Sequence, residues 1–486
     1  SHALLLATGL ITLTAQAQTP AAFNADKVLA FPDKVWGFKV SADGLHCAVI
    51  SPTEDKKVTA QLDGVHLGNT YYDYNKDINF IAISPDGKRA AFTVENDSYD
   101  TLVVADGSDG PAYDHAWALL YSPDSKHFAY AAGKDDKDFV VLDGAPGEKY
   151  DDVGTTLRFS PDSQRLAYIA DQNKKKQVVT DGKPGPDFDK IDVPVFSSDS
   201  KHLAYQAQRN GHWLVVVDGY AGPEYDDVDK LTFSPDSSHN AYIAKKGDQW
   251  HVVADGKEGP AYDGVDDLTY SADGKSLAFI AAKDKKELVI LNDAEGPAHD
   301  GIGEDSLHFR PDGTLDYAVT DAKKWSMFTH GKVGPEYDSL GDVAYSADGK
   351  RMAYNAQRGA GGHFVVLDGV EDKPHDGIGT MTFSPDSKRF GYVANDGHKW
   401  FMVVDGKKSP DYDDINDGAP LFSPDSKHVI CCITQGKGQA MVVDGTVSET
   451  YDAVYKGGPQ FEPDGTLEFL AEKDNVLYRV KSPPAP

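Results

Sequence analysis

Twelve near-copies of one tetrapeptide run the length of the chain. Ser-Pro-Asp-Ser, or a variant such as Ser-Ala-Asp-Gly, begins at Ser41, Ser84, Ser122, Ser160, Ser197, Ser234, Ser271, Arg310, Ser346, Ser384, Ser423 and Glu462, at intervals of 36 to 43 residues. A fixed period of this length marks a repeat architecture in which one supersecondary unit stacks on the next. Within a unit no stretch of ten residues carries helical periodicity. Short runs of β-formers alternate with turn signals instead. Strand A ends at the tetrapeptide (157–160, 231–234, 381–384) and strand B follows at once (166–169, 203–205, 390–393). Strand C runs into Asp-Gly (214–217, 401–404), and strand D carries a Gly-Pro-x-Tyr-Asp element (222–228, 259–265). Four-stranded meanders repeated radially make an all-β propeller of twelve blades. Proline in strand D suits an outermost strand, which needs no ladder donor on its solvent side.

The repeated aspartates have a mechanical explanation. In the A–B hairpin, Pro presets φ, Asp accepts backbone N–H groups across the turn, and Gly or Ser takes the awkward dihedral. Asp-Gly after strand C (Asp63, Asp106, Asp143, Asp181, Asp218, Asp255, Asp368, Asp405, Asp444) is a hairpin signal as well.

The pattern Phe159-Ser160-Pro161-Asp162-Ser163 followed by Leu166-Ala167-Tyr168 resembles the WD-repeat-like Pro-Asp repeats of the bacterial TolB-like propeller family, and the resemblance covers about residues 28 to 482. It implies a propeller fold. Two departures, twice that family's six blades and no α/β domain ahead of the repeats, argue against carrying over its role in the outer-membrane-linked Tol system.

The last repeat has strands A (458–461), B (467–470) and C (476–480) but no D element, and 27–31 could supply that strand and join the two ends of the chain. Closure would remove open edges. Yet blades about 10 Å apart in steps of 30° would leave the inner strands about 19 Å from the axis. Two rings of about six blades (27–265 and 266–486) are therefore expected ahead of one large ring, in line with propellers of about 4–8 blades. The apolar run Ala3–Leu13 before Ala15-Gln16-Ala17 reads as a signal peptide over 1–17, with a short linker at 18–26, so the expected location is periplasmic or secreted in a bacterium.

The 77 acidic residues against 48 basic give a net charge of -29, which opposes nucleic acid and anionic lipid surfaces and favours cationic partners or solubility. No later stretch is apolar for about 20 residues, so no membrane insertion is expected once the signal is removed. Cys47, Cys431 and Cys432 read as buried inert thiols, with a bridge from Cys47 to one of the pair as the alternative. The chain has no Gly-x-Ser-x-Gly, His-Glu-x-x-His, Cys-x-x-Cys or phosphate-binding Gly-rich loop, so no catalytic residue or cofactor is assigned. His127, His202, His239 and His428 occupy equivalent places after the tetrapeptide and read as strand-entry residues rather than one metal site, while His299 and His375 replace the Tyr of Tyr-Asp.

The most distinctive candidates are the Tyr-Asp pairs Tyr113-Asp114, Tyr150-Asp151, Tyr225-Asp226, Tyr262-Asp263, Tyr337-Asp338 and Tyr412-Asp413, with Tyr72-Asp73, Phe188-Asp189 and Tyr451-Asp452 alike. Two readings apply. The ring wedges between blades while Asp bonds a loop amide, or the pairs form a ligand-facing ring for sugars or cationic peptides. Calcium at Asp106–Asp109 or Asp411–Asp414 is a further option, although neither matches a twelve-residue calcium loop. The function expected from the sequence is a non-catalytic scaffold for a protein partner, peptide or extracellular polysaccharide. The alternatives are a propeller enzyme acting on sugars or lactones through funnel carboxylates and histidines, and a polysaccharide or cation sensor.

Overall fold

The computed structural model describes residues 23–482 apart from 31–34, 36, 54–56, 73–79, 97, 360–361, 417–419, 456–459 and 463–464. The expected signal segment 1–17 lies outside them. Among the described residues there is no helix, and the strands form twelve antiparallel sheets.

Blade 4 shows the plan. Strand A (Asp152–Phe159), B (Leu166–Gln172), C (Lys175–Thr180) and a two-residue D (Lys183–Pro184) follow in spatial order, with Leu157 opposite Tyr168 and Tyr168 opposite Val179. The A strands are interrupted. Blade 4 bulges between Val153 and Leu157, blade 6 between Asp229 and Thr232, and blades 5, 8, 11 and 12 split A into two short pieces. Strand D is shorter than the sequence suggests. In blade 5 it is Tyr220–Ala221 plus one bridge from Tyr225 to Trp213, and Asp227–Phe233 already belongs to strand A of blade 6. The chain crosses between blades at Tyr-Asp because the Asp is held by the next blade, as shown below. Edge strands this short, interrupted by Gly and Pro, offer little template for pairing with another chain.

Neighbouring blades bury complementary faces. Ala129 and Ala131 of blade 3 receive Leu157 and Tyr168 of blade 4, so small residues on one B strand make room for large ones on the next. This interface runs without interruption through the expected division near residue 266, where Val252 of blade 6 packs with Tyr262, Phe279 and Leu288. The circle closes as strand Asn24–Ala30 pairs antiparallel with Val476–Lys481 and becomes strand D of blade 12. Leu29, Leu470 and Leu477 of that blade then pack on Cys47 and Val49 of blade 1, and Phe38 meets Tyr455 at 5.1 Å. The chain is therefore one ring of twelve blades, not two rings of six. On strand A of blade 6 the exposed and half-buried residues include Asp229, Lys230 and Thr232. Polar groups that face water on an inner strand leave less apolar surface to hide.

Candidate functional site

The Tyr-Asp residues form a seam inside the propeller wall. Tyr113, Tyr150, Tyr225, Tyr262, Tyr337 and Tyr412 are all buried. The rings of Tyr113, Tyr150, Tyr225 and Tyr337 stand edge-on to Tyr130, Tyr168, Tyr242 and Tyr354 of the following blade, at centroid distances of 6.0–6.4 Å. Tyr262 meets Phe279 in the same way at 5.9 Å, and Tyr412 packs beside Cys431. The adjoining carboxylates accept backbone N–H groups from the B–C turn of the next blade: Asp114 from Asp135, Asp151 from Asn173, Asp226 from Gly247, Asp263 from Asp284, Asp338 from Gly359 and Asp413 from Gly436, at 2.5–3.1 Å. Lys137 and Lys399 pair with Asp151 and Asp413 at 2.5 Å and hold those carboxyls below their usual range. The Tyr side chains thus face the next blade. In blade 1 the wedge is Tyr71, packed on Phe92, one residue before the expected Tyr72, and Asp73 lies outside the described residues. His299 and His375 fill the same slot, buried, with Nδ1 on Asp321 (2.6 Å) and Asp396 (3.0 Å).

At the other end of each blade the tetrapeptide makes two sets of bonds. Its Ser Oγ donates to the turn Asp at 2.6–2.8 Å in blades 2–7 and 9–11, which pulls these carboxyls down. The fourth residue sits in the left-handed region (Ser125 φ 64°), and its Oγ accepts the N–H of the preceding blade's turn Asp (Asp86 to Ser125, 3.0 Å). Five residues after the first Ser stands a His or an Arg. His127, His202, His239 and His428 each place Nδ1 on the Asp-Gly carboxylate at 2.6–2.7 Å, and His46 does so at 2.5 Å. In Arg blades the guanidinium bonds the same carboxylate, reaches two carbonyls of the next blade's turn, and lies over its aromatic. Arg165, for example, bonds Asp181 (3.2 Å), Ser200 O (3.2 Å) and Lys201 O (2.9 Å) and covers Phe196. The histidines thus bind the Asp-Gly carboxylate of their own blade, and His127, His202 and His239 also lie against Phe159, Phe233 and Tyr270 of the next blade, so they are spread around the ring rather than gathered in one site.

The degenerate blades rebuild this clasp. In blade 8 one residue is missing from the turn, and Arg310, standing in the Ser position, bonds buried Asp316 at 2.7 Å and Gly349 O of blade 9 at 3.1 Å. In blade 12, Arg479 from strand C bonds Leu45 O of blade 1 (2.7 Å) and pairs with Glu468 (3.1 Å). Blade 7 has Ser276 and Asn292 in place of the charged pair, joined by an Nδ2–H bond of 3.0 Å.

With turns and seams committed to the frame, the channel edge of the A strands is where blades differ. The residue two before the tetrapeptide is Lys39, Leu120, Arg158, Val195, Thr232 or His308 in different blades, exposed or half-buried in each. One sector is acidic. Asp192, Asp227, Asp229, Asp266, Asp267 and Asp305 succeed one another on blades 5 to 8, with Lys230 bridging to Asp266 at 2.6 Å. Burial, then the charges of Asp229 and Asp227, raises the Asp192 pKa. Burial, and in smaller part the charge of Asp305, raises that of Asp267. Lys230 lowers that of Asp266. Lys230 thus offsets the charge of Asp266, while Asp192 and Asp267 stand close to other carboxylates in this sector. The sequence reading passed over this sector, whose signal is a run of consecutive blades with Asp between Tyr-Asp and the tetrapeptide.

Among the described residues no three His, Cys, Asp or Glu side chains are placed to hold one metal ion. The carboxylates considered for calcium have protein partners: Asp106 takes Arg89 (2.8 Å), Asp109 takes the Tyr71 hydroxyl, Asp411 takes Lys408 (2.8 Å), and Asp414 accepts the Ile415 N–H (2.9 Å). The three thiols are free, so the Cys47 bridge does not form, and burial pushes Cys47 and Cys431 up to about 12.

No protein-family description matches the chain, and no curated protein does. Among solved structures, one described as the crystal structure of the eukaryotic initiation factor aligns with 77% of this chain and 96% of that chain, at 15% identity and a TM-score of 0.35. The class that the coordinates define is a twelve-bladed β-propeller.

Proposed function

We propose that the protein is a non-catalytic binding scaffold, exported to the periplasm or beyond, whose channel edge at blades 5 to 8 receives a cationic segment of a partner protein. One observation carries this reading. The repeated polar residues are spent on blade-to-blade bonds, whereas the position two before the tetrapeptide changes from blade to blade and the neighbouring A strands of blades 5 to 8 gather Asp192, Asp227, Asp229, Asp266, Asp267 and Asp305. In a tandem repeat, invariant positions serve the frame and variable exposed ones are free for recognition. Carboxylates whose pKa values are raised by burial, and in smaller part by neighbouring carboxylates, are stabilised in their charged form by an incoming cation.

The test is fluorescence anisotropy with a labelled lysine-rich peptide, titrated at rising salt against the full chain and against a D192N/D229N/D267N variant. The scaffold reading expects saturable binding that weakens with salt and falls at least tenfold in the variant. Equal binding by both proteins, or turnover of sugars or lactones by the wild type, would defeat it.

A further inference from the structure

Blades diverge from the axis, so clefts open between their outer turns. In three of them corresponding positions line a cavity, of about 460 Å³ between blades 3 and 4 and between blades 9 and 10, and about 650 Å³ between blades 6 and 7. In blade 7 the position of Arg165 is taken by Ser276, bonded to the neutral amide of Asn292 rather than to a carboxylate, so the cleft between blades 6 and 7 is lined by Asn292 where the cleft between blades 3 and 4 is lined by Asp181.

The cleft between blades 6 and 7 is an amphipathic groove. Leu277 and Phe279 form an apolar floor, and Lys257, Asn292 and Asp293 stand at the rim. Its volume falls in the range of small-molecule sites, about 300–1,000 Å³. Its charges cancel even though the whole chain carries -29. Lys275 pairs with Asp273 at 3.5 Å and Glu258 with Lys246 at 3.6 Å, which leaves Lys257 and Asp293 with one charge of each sign. A groove whose lining charges balance, with an apolar floor and both donors and acceptors at its rim, offers no surplus charge of its own to draw an ion. It suits a neutral ligand with one apolar face and many hydroxyls.

We propose that the cleft between blades 6 and 7 is a binding site for a neutral saccharide. The C–H face of the sugar ring lies on Leu277 and Phe279, and its hydroxyls bond Lys257, the Asn292 amide and Asp293. This site is separate from the acidic sector of the channel and does not depend on it.

The experiment is calorimetric titration of the full chain with neutral disaccharides (maltose, cellobiose, lactose) and with a hexuronate and a hexosamine for comparison. At least one neutral disaccharide is expected to bind saturably, with little dependence on salt. The variant N292D exchanges the amide for a carboxylate in the lining of the groove and should weaken binding at least tenfold while the melting temperature holds. D293A removes a rim acceptor and should weaken binding several-fold, which gives an independent reading if N292D misfolds. The channel variant D192N/D229N/D267N should bind the sugar as the wild type does. Failure of every neutral disaccharide to bind, tighter binding of a charged sugar, or unchanged affinity in both groove variants would overturn the proposal.

Discussion

Ring closure rests on a short strap, and Leu29→Ala tests it directly. Leu29 is 5% exposed and packs on Leu470 and Leu477 of blade 12 and on Cys47 and Val49 of blade 1. Truncating a buried leucine costs about 2–5 kcal/mol. The strap is a single edge strand free to shift toward the hole left behind, so a value of about 3 kcal/mol is appropriate, and at about 1.4 kcal/mol per decade this is roughly a hundredfold in an opening equilibrium. In a ring whose blades touch only their neighbours the loss should stay local. Hydrogen exchange followed by mass spectrometry should therefore show peptides covering Val476–Lys481, which pairs with the strap, exchanging about 100-fold faster, with blades 5 to 8 unchanged. Leu288→Ala is the control. Leu288 is buried in the interface between blades 6 and 7, and its loss should loosen that interface and spare 476–481. Unchanged exchange at 476–481 in the Leu29 variant would refute the closure. So would acceleration in blade 6, because in two rings of six the strap would end elsewhere.

The rebuilt clasp of blade 8 should be costly to break. Asp316→Ala leaves the Arg310 guanidinium, 6% exposed, without its carboxylate, and should cost about 3–5 kcal/mol in calorimetric unfolding. Reverting Arg310 to Ser alongside it should recover part of that loss. In acid, the turn carboxylates Asp236, Asp386 and Asp425 sit at about 2, below their unfolded value of 3.8. Their stabilising contribution is present above pH about 4 and is lost as pH falls toward 2. Asp192 and Asp267 are shifted upward and oppose folding when ionised, so their protonation favours the fold as pH falls through their raised values. The turn carboxylates, repeated around the ring, should prevail, and far-ultraviolet circular dichroism should show unfolding set in below pH 4. Cys47 and Cys431 at about 12 and Cys432 at about 11 should react with a disulfide reagent at pH 8 far more slowly than three free thiols do in denaturant.

The blade itself was legible because each turn residue acts locally. Asp181-Gly182 needs two positive φ values (51° and 74°), and Ser160-Pro161-Asp162-Ser163 closes its own hairpin, so these letters specify strands wherever they stand. The Tyr-Asp role was half legible. Spacing placed the aromatic, but only coordinates show that Asp151 caps the Asn173 amide of the following blade. Blade number per ring was not legible, because it depends on the angle at which Ala129 and Ala131 receive Tyr168, a property of the packed interface rather than of any motif. The acidic sector was missed for a related reason. Asp192, Asp229 and Asp267 lie on three blades, and no single repeat reveals that ring geometry sets them side by side.

The clasp shows how much irregularity such a ring can absorb. Each blade reaches its neighbour's turn or aromatic, and the chain meets that need with Arg165 held by Asp181, with His127 held by Asp143 and lying against Phe159, or with Arg310 held by Asp316 and drawn from a different position. What is preserved is a cation or ring placed between a carboxylate and the next aromatic, not a residue at a fixed offset. Where that arrangement lapses, at Ser276 and Asn292, the fold stays closed because Ala278, Ile280 and Val289 of blade 7 still pack on Leu315, Tyr317 and Val319 of blade 8. A frame this redundant lets one blade give up a structural contact without opening the ring.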